Sequence, residues 1–325
     1  MQTRIMLTDI LILIAGLLLI IFGADWLVDG ASAIARKLKI SEFVIGLTIV
    51  GFGTSCPELV VSVTGAIKGI SDISIGNVIG SNIFNTLLIL GLTALILPIS
   101  VTKNNKRRDI PMTLLVTLLL IVCGMSYSLF GIGQGDGLSR VEGIVFLILF
   151  AGYIFYCFKS DEQGPEEELS PAHEVSVFKA VVLTLAGLAG LVLGGRWFVN
   201  SAVVLAQAMG VSEKFIAITL LAGGTSLPEL AACVVAAAKK KGQLALGNIL
   251  GSNIFNILLI LGVSATIRPI SFSGIDMVDM LAVLLSIVLV MMSSYTFKKN
   301  QIDRFEGAIF LMAFIAYYVW LFIKL

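Results

Sequence analysis

The sequence predicts an all-α membrane protein of ten transmembrane helices, arranged as two inverted-topology repeats of five. Three observations carry this expectation. The 325 residues are 58% hydrophobic and 13% charged, with a mean hydropathy of +1.01, against roughly 25% charged for a soluble domain. The second half of the chain repeats motifs of the first at an offset of 171 positions. Each half contains an odd number of apolar stretches.

About 20 apolar residues cross a bilayer, and turn and charge signals cut the chain into ten such stretches. The first half gives 7–29, 43–66, 74–97, 111–130 and 140–158; the second gives 178–199, 214–237, 244–267, 277–296 and 304–323. The run from Ile10 to Ala24 behind Arg4 has the outline of a signal peptide. It continues past Trp26 to Val28 and more spans follow, so it reads as a first transmembrane helix. Between the halves, Lys159 to Glu174 carries Asp161, Glu162, Gly164, Pro165, Glu166, Glu167, Glu168 and Pro171, too polar to insert and too poor in apolar residues to pack. The expected organisation is a first repeat over 1–158, an acidic linker over 159–177 and a second repeat over 178–325.

Five spans per half make the second repeat enter the membrane from the opposite side, which inverts the duplication. Basic residues choose the orientation. With both termini outside, the inward side carries Arg36, Lys37, Lys39, Lys103, Lys106, Arg107, Arg108, Lys159, Lys179, Lys239, Lys240, Lys241, Lys298, Lys299 and Arg304, fifteen of the 22 basic residues. The sequence therefore predicts a multi-pass protein of the cell membrane with extracellular termini and a cytoplasmic linker. Asp25 and Arg196 hold equivalent positions beside Trp26 and Trp197 and read as interfacial residues, as do Asp109, Glu142, Asp279 and Glu306 at span ends.

The duplication is clearest where it is most costly. Gly53-Thr54-Ser55-Cys56-Pro57-Glu58 returns as Gly224-Thr225-Ser226-Leu227-Pro228-Glu229, and thirteen of the sixteen positions from Gly76 to Gly91 match Gly247 to Gly262. A carboxylate near the bilayer centre costs roughly 2.5 to 3.5 kcal/mol on insertion scales. Two of them, each with the same polar companions, point to a cation site, whereas a single interhelical hydrogen bond would need only one. On a helix Thr54 and Ser55 precede Glu58 by four and three residues, so two hydroxyls and a carboxylate share a face. Pro57 has no N–H and crowds the carbonyl of Gly53, so the helix must bend and leave backbone oxygen free; Pro228 repeats this at Gly224. Asn77, Ser81 and Asn85 line one stripe at intervals of four, as do Asn248, Ser252 and Asn256. Asn77, Asn82 and their copies suit helix-helix hydrogen bonding and ion contact equally. Gly76, Gly80, Gly247 and Gly251 form small-xxx-small faces for close packing.

The donors are all oxygen, which is the set for a hard cation; calcium takes six to eight oxygens, while thiolate or imidazole would indicate zinc or copper. His173 falls in the linker, leaving no histidine base or ligand within the spans. Cys56, Cys123, Cys157 and Cys233 form no CxxC pair and read as small buried hydrophobes. A net charge of +1 gives no case for nucleic acid. Nothing calls for an organic cofactor or an obligate protein partner; the expected partners are cations and the lipid bilayer.

At these motifs, over essentially the whole chain, the sequence resembles the calcium/cation antiporter superfamily, specifically its microbial sodium/calcium exchanger branch. The resemblance implies an antiporter, not an enzyme, with ten spans and two alpha-repeats. It implies Glu58 and Glu229 as calcium ligands, joined by Thr54 and Thr225. Sodium sites would draw on Thr54, Ser55, Glu58, Ser81, Thr225, Ser226, Glu229 and Ser252 and on the backbone carbonyls of Gly51 and Ala222, with Asn85 and Asn256 completing the centre. Potassium-dependent relatives carry aspartate at the Asn256 position, so asparagine here implies potassium-independent exchange. The alternatives are a calcium/proton antiporter of the same fold, a passive channel and, remotely, an intramembrane hydrolase; an enzyme would have no use for two equivalent half-sites.

Overall fold

The computed structural model describes residues 2–132, 135–161, 176–210, 222–273, 275–296 and 300–324. All ten apolar stretches fall on helix, the seventh only from Ala222 onward because 211–221 lie outside the described residues. Most of the acidic linker lies outside them too. Among the described residues six helices are long and apolar enough to cross a membrane, and a bent pair makes a seventh.

Helix α1 (Gln2–Leu38) is longer than its apolar core predicts. At 1.5 Å per residue its 37 residues reach about 55 Å, because the segment after Val28 is rich in alanine and nothing breaks it before Lys39, whose φ is 55°. Ser41 then caps α2 (Glu42–Ile45), its hydroxyl accepting from the Val44 N–H. A π-helical turn, Gly46–Val50, leads to α3 (Gly51–Thr54). The helix stops at Ser55, with φ −81° and ψ 5°, and restarts as α4 (Cys56–Lys68) with Pro57 in its first turn. The two pieces meet at 49°. The break expected at Pro57 is therefore present, one turn upstream of Glu58, because proline suits a first turn and not a helix interior.

Next come α5 (Ser71–Ile83), a π segment Phe84–Ile89, and α6 (Leu90–Ile96). Helices α7 (Ile110–Gly124), α8 (Ser126–Phe130) and α9 (Arg140–Lys159) finish the first half. The second half holds α10 (Val177–Ala208), α11 (Ala222–Gly224), α12 (Leu227–Ala238) and α13 (Gly242–Ile254), a π segment Phe255–Leu261, then α14 (Gly262–Ile267), α15 (Met277–Ser293) and α16 (Arg304–Lys324). The all-α expectation holds apart from two short antiparallel pairings. Strand β1 (Ile99–Ser100) pairs with β4 (Gln301–Ile302), and β2 (Gly137–Leu138) with β3 (Ile270–Ser271), each joining a connection of one half to one of the other.

Burial sorts the helices into centre and coat. The apolar stretch of Gly242–Ile267 is 94% buried and that of Ser71–Ile96 is 72% buried, whereas those of α9 and α16 are 22% and 17% buried. Leu11 and Leu18 of α1, Phe155 of α9, Leu185 of α10 and Ile315 of α16 face outward, as apolar residues do against lipid. Helices α1 and α10 lie backbone against backbone. A Cβ on Gly16 would stand 2.7 Å from the Phe198 nitrogen, and one on Gly187 would stand 2.5 Å from the Leu27 nitrogen. The sevenfold spacing of Gly16, Gly23 and Gly30 opposite Gly187 and Gly194 is a legible signal for this seam that motif reading passed over.

The same close approach builds the centre. A Cβ on Gly247 would lie 2.1 Å from the Phe43 carbonyl oxygen, and one on Gly251 would lie 2.5 Å from that of Leu47. This satisfies the small-xxx-small expectation for the second copy. The residues equivalent to 43–50 in the second half, 214–221, lie outside the described residues.

Several charged residues read as interfacial also have specific partners. The Asp25 carboxylate is 2.6 Å from Lys239 Nζ. Asp109 is fully buried, 2.7 Å from Arg108 Nε and accepting from the Tyr153 hydroxyl at 3.2 Å. Glu142 and Asp279 close capping boxes with Ser139 and Asp276, and Glu306 accepts from the Asp303 N–H at 2.6 Å. The S-x-x-E, D-x-x-D and D-x-x-E spacings spell these caps in the sequence. Of the cysteines, Cys157 and Cys233 are buried, and Cys56 and Cys123 are only half-buried.

Candidate cation site

Each half contributes a broken helix and a continuous one, and the polar groups meet where the breaks face the continuous helices. Ser55 and Ser226 sit at the breaks, which aim their side chains away from the helix of their own repeat. Ser55 Oγ lies 3.0 Å from Glu229 Oε1 and 3.0 Å from Ser252 Oγ. Ser226 Oγ lies 3.0 Å from Glu58 Oε1 and 3.2 Å from Ser81 Oγ. A hydroxyl has one proton, so each of these serines donates to the opposite carboxylate and accepts from the second serine. The expectation that hydroxyl and carboxylate of one motif form a half-cage is thus modified: the break turns the hydroxyl toward the other repeat's glutamate.

The threonines serve as struts. Thr54 Oγ1 donates to the Val50 carbonyl at 3.0 Å and approaches Asn248 Oδ1 at 3.2 Å, and Thr225 Oγ1 approaches Asn77 Oδ1 at 3.4 Å. Asn77 Nδ2 donates to Ser62 Oγ at 2.9 Å and to the Glu58 carbonyl at 3.1 Å; Asn248 Nδ2 donates to Cys233 Sγ at 3.2 Å. For Asn77 and Asn248 the balance between helix bonding and ion contact therefore falls to helix bonding. Ser62 and Cys233, at equivalent positions, anchor these amides. No motif flagged them, but the 171-residue offset pairs them.

Among the described residues seven buried side-chain oxygens have no partner; Ser32 Oγ, Asn253 Oδ1 and Ser264 Oγ are three of them, and the other four, Glu58 Oε2, Glu229 Oε2, Asn85 Oδ1 and Asn256 Oδ1, belong to residues of 1% exposure in the repeated motifs. An unpaired buried carboxylate oxygen is expensive, and native interiors avoid it unless something else supplies the positive charge. These four oxygens come from four helical segments, two per repeat, at equivalent positions. Together with Ser55, Ser81, Ser226 and Ser252 they are acceptors suited to hard cations. The Gly51 carbonyl accepts from the Ser55 N–H at 3.1 Å and is approached by Thr54 Oγ1 at 3.4 Å. Ala222 opens α11, and its side chain is outside the described residues. Among the described residues no cluster of three or more His, Cys, Asp or Glu groups forms a conventional metal site. The arrangement relies on two carboxylates surrounded by neutral oxygens.

Comparison with known proteins decides the family. The sequence model described as sodium/calcium exchanger protein matches residues 8–159 and 179–323. The chain belongs to the sodium/calcium exchanger family. The protein CaxA of Alkalimonas amylolytica is 42% identical over 98% of this chain and 99% of its own, and the sodium/calcium exchanger MaX1 of Methanosarcina acetivorans is 33% identical over 97% and 98%. A solved structure of the sodium-calcium exchanger NCX_Mj, soaked with sodium and calcium, superposes with a TM-score of 0.82 at 36% identity, covering 95% of this exchanger-family chain and 97% of that one. The chain is thus an antiporter of the calcium/cation superfamily, sodium/calcium exchanger branch, as its motifs predict.

Proposed function

We propose that this protein exchanges sodium for calcium across the cell membrane, electrogenically and without potassium, at a centre built by Glu58 and Glu229. The observation that carries the reading is the set of four unpartnered buried oxygens at equivalent positions of the two repeats. Glu58 and Glu229, with Thr54 and Thr225, hold calcium. Sodium takes the flanking oxygens of Ser55, Ser81, Ser226 and Ser252, the carbonyls of Gly51 and Ala222, and the amides Asn85 and Asn256, which complete the centre and serve the calcium ion there as well. Two ionised carboxylates neutralise one calcium, whereas three sodium ions leave one positive charge over. Half of the cycle therefore moves charge.

The ligands are shared, so the two ions exclude each other, and exclusion at one centre is what couples their fluxes. The proposed architecture is ten spans, with residues 1–158 and 178–325 as inverted repeats and 159–177 as a cytoplasmic linker. The 171-residue repeat and the helix breaks at Ser55 and Ser226, whose polar groups meet across the two halves, support it, since inverted repeats around a shared site are how secondary transporters present it alternately to two sides. The test is calcium uptake into proteoliposomes under an imposed sodium gradient, compared with an imposed proton gradient. Sodium-driven uptake that responds to a membrane-potential clamp and needs no potassium is expected. Uptake driven by protons alone would make the protein a calcium/proton antiporter.

A further inference from the structure

Beside the centre runs a ladder of amides, of which only Asn256 belongs to the ion site. Asn256 Nδ2 donates to Asn82 Oδ1 at 3.0 Å, Asn82 Nδ2 approaches the Asn253 carbonyl at 3.4 Å, and Asn253 Nδ2 donates to Thr86 Oγ1 at 2.7 Å. All four residues are at least 98% buried. The ladder crosses between the repeats at the start of the two π segments, Phe84–Ile89 and Phe255–Leu261.

An asparagine amide has two ends of nearly equal size and opposite meaning for a cation: the oxygen binds it and the NH2 repels it. A half-turn about the last side-chain bond converts a ligand into an obstacle. Asn256 is prevented from making that turn, because its Nδ2 is engaged by Asn82 while its Oδ1 stays unpartnered. The first repeat lacks the corresponding hold. Asn253 is the equivalent of Asn82 and would be expected to engage Asn85, but its amide is drawn to the hydroxyl of Thr86 and its own Oδ1 has no partner. The second repeat has Ile257 where the first has Thr86, so no hydroxyl diverts Asn82. Among the described residues the Asn85 side chain makes no hydrogen bond. One Thr-for-Ile difference thus separates a held amide from an unheld one within an otherwise matching centre.

We propose that Asn82 is a positioning residue that holds the Asn256 amide with its oxygen toward the transported cation, while Thr86 leaves Asn85 without the equivalent hold. The proposal rests on the reading of this centre as the ion site. A held ligand loses no orientational freedom when the ion arrives, so Asn256 contributes to calcium binding as a preorganised oxygen.

The experiment is equilibrium binding of radioactive calcium to the purified full chain, with sodium as competitor. Wild-type protein binds calcium saturably and sodium displaces it; absence of that binding overturns the ion-site reading itself. Asn82→Leu and Asn82→Ala, made in parallel so that a packing failure of one leaves the other, each weaken calcium binding by about fivefold, the size of one net hydrogen bond. Asn82→Asp keeps the accepting oxygen and binds at least as tightly as wild type. The deciding arm is the Asn256→Asp background, where both ends of the side chain are oxygen and orientation no longer matters. There Asn82→Leu changes calcium affinity less than about twofold relative to Asn256→Asp alone. Equal weakening in both backgrounds would mean that Asn82 only fills space, and no weakening in either would mean that it holds nothing; both outcomes overturn the proposal.

Discussion

Helices α4 and α12 occupy equivalent places, α4 ending on Lys68 and α12 followed at once by the equivalent Lys239, yet the surroundings of the two lysines differ. Lys239 Nζ lies 2.6 Å from an oxygen of Asp25 and 2.6 Å from one of Asp29, and it donates to the Asp25 carbonyl at 3.3 Å. It ties α12 to α1, which packs along it. The positions equivalent to Asp25 and Asp29 on α10 are Arg196 and Asn200, so the first repeat's lysine has no acid at the matching positions. By contrast, the serines and glutamates at the centre keep crossed hydrogen bonds that agree to within 0.2 Å between the two halves. The serine and glutamate core is symmetric because both halves place the same groups into one shared cluster. The rims diverge because each meets only its own neighbours.

The comparison predicts symmetric losses at the centre and unequal ones at the rim. The largest effect is expected from Glu58→Gln and Glu229→Gln, each of which removes half the negative charge facing calcium. Each lowers calcium uptake by more than about 100-fold, in keeping with roughly 3–5 kcal/mol for breaking a buried charge pair. Transport assays on both variants check it, and survival of transport in one alone would break the symmetry of the centre.

At the rim, Lys239→Met is expected to cost on the order of 1 kcal/mol, since its acids are half exposed and screened, and to lower Tm by about 2 °C. Lys68→Met is expected to stay within about 0.5 kcal/mol. Thermal unfolding of the purified pair tests this, and equal shifts would erase the difference between the rims.

The smallest effect is expected where the two halves differ by one atom type. Ser62 Oγ donates to the Ser74 carbonyl and receives Asn77, and at the matching positions Cys233 donates to the Ala245 carbonyl and receives Asn248. Cys233→Ser reproduces the first-repeat arrangement, so transport stays at the wild-type level and stability changes by no more than about 0.5 kcal/mol. A large loss on assay would show that the second repeat depends on the thiol.

Much of the fold was legible because hydropathy and punctuation are local. The ten apolar stretches, the break near Pro57 and the packing face at Gly247 and Gly251 each follow from residues within one or two helical turns. The extension of α1 to Leu38 was missed because an alanine-rich segment is helical without being especially apolar. The interfacial reading of the acids at span ends named no partners for them, although their capping spacings and, for Asp109, a neighbouring Arg108 were present in the sequence.

The sequence by itself determined which atoms are costly: two glutamates, four serines and the repeated asparagines, placed twice in apolar surroundings and therefore requiring compensation. Its internal offset also determined which residues correspond. Only the tertiary structure decided which of them meet. Ser55 turns to Glu229 and Ser226 to Glu58 because the helix break rotates the hydroxyl out of its own repeat, and Asn256 is held while Asn85 is not because Asn253 has a nearer partner in Thr86. Such contacts join residues up to 174 positions apart. Local spacing fixes the direction of a side chain along its own helix, whereas its partner depends on how separate helices pack.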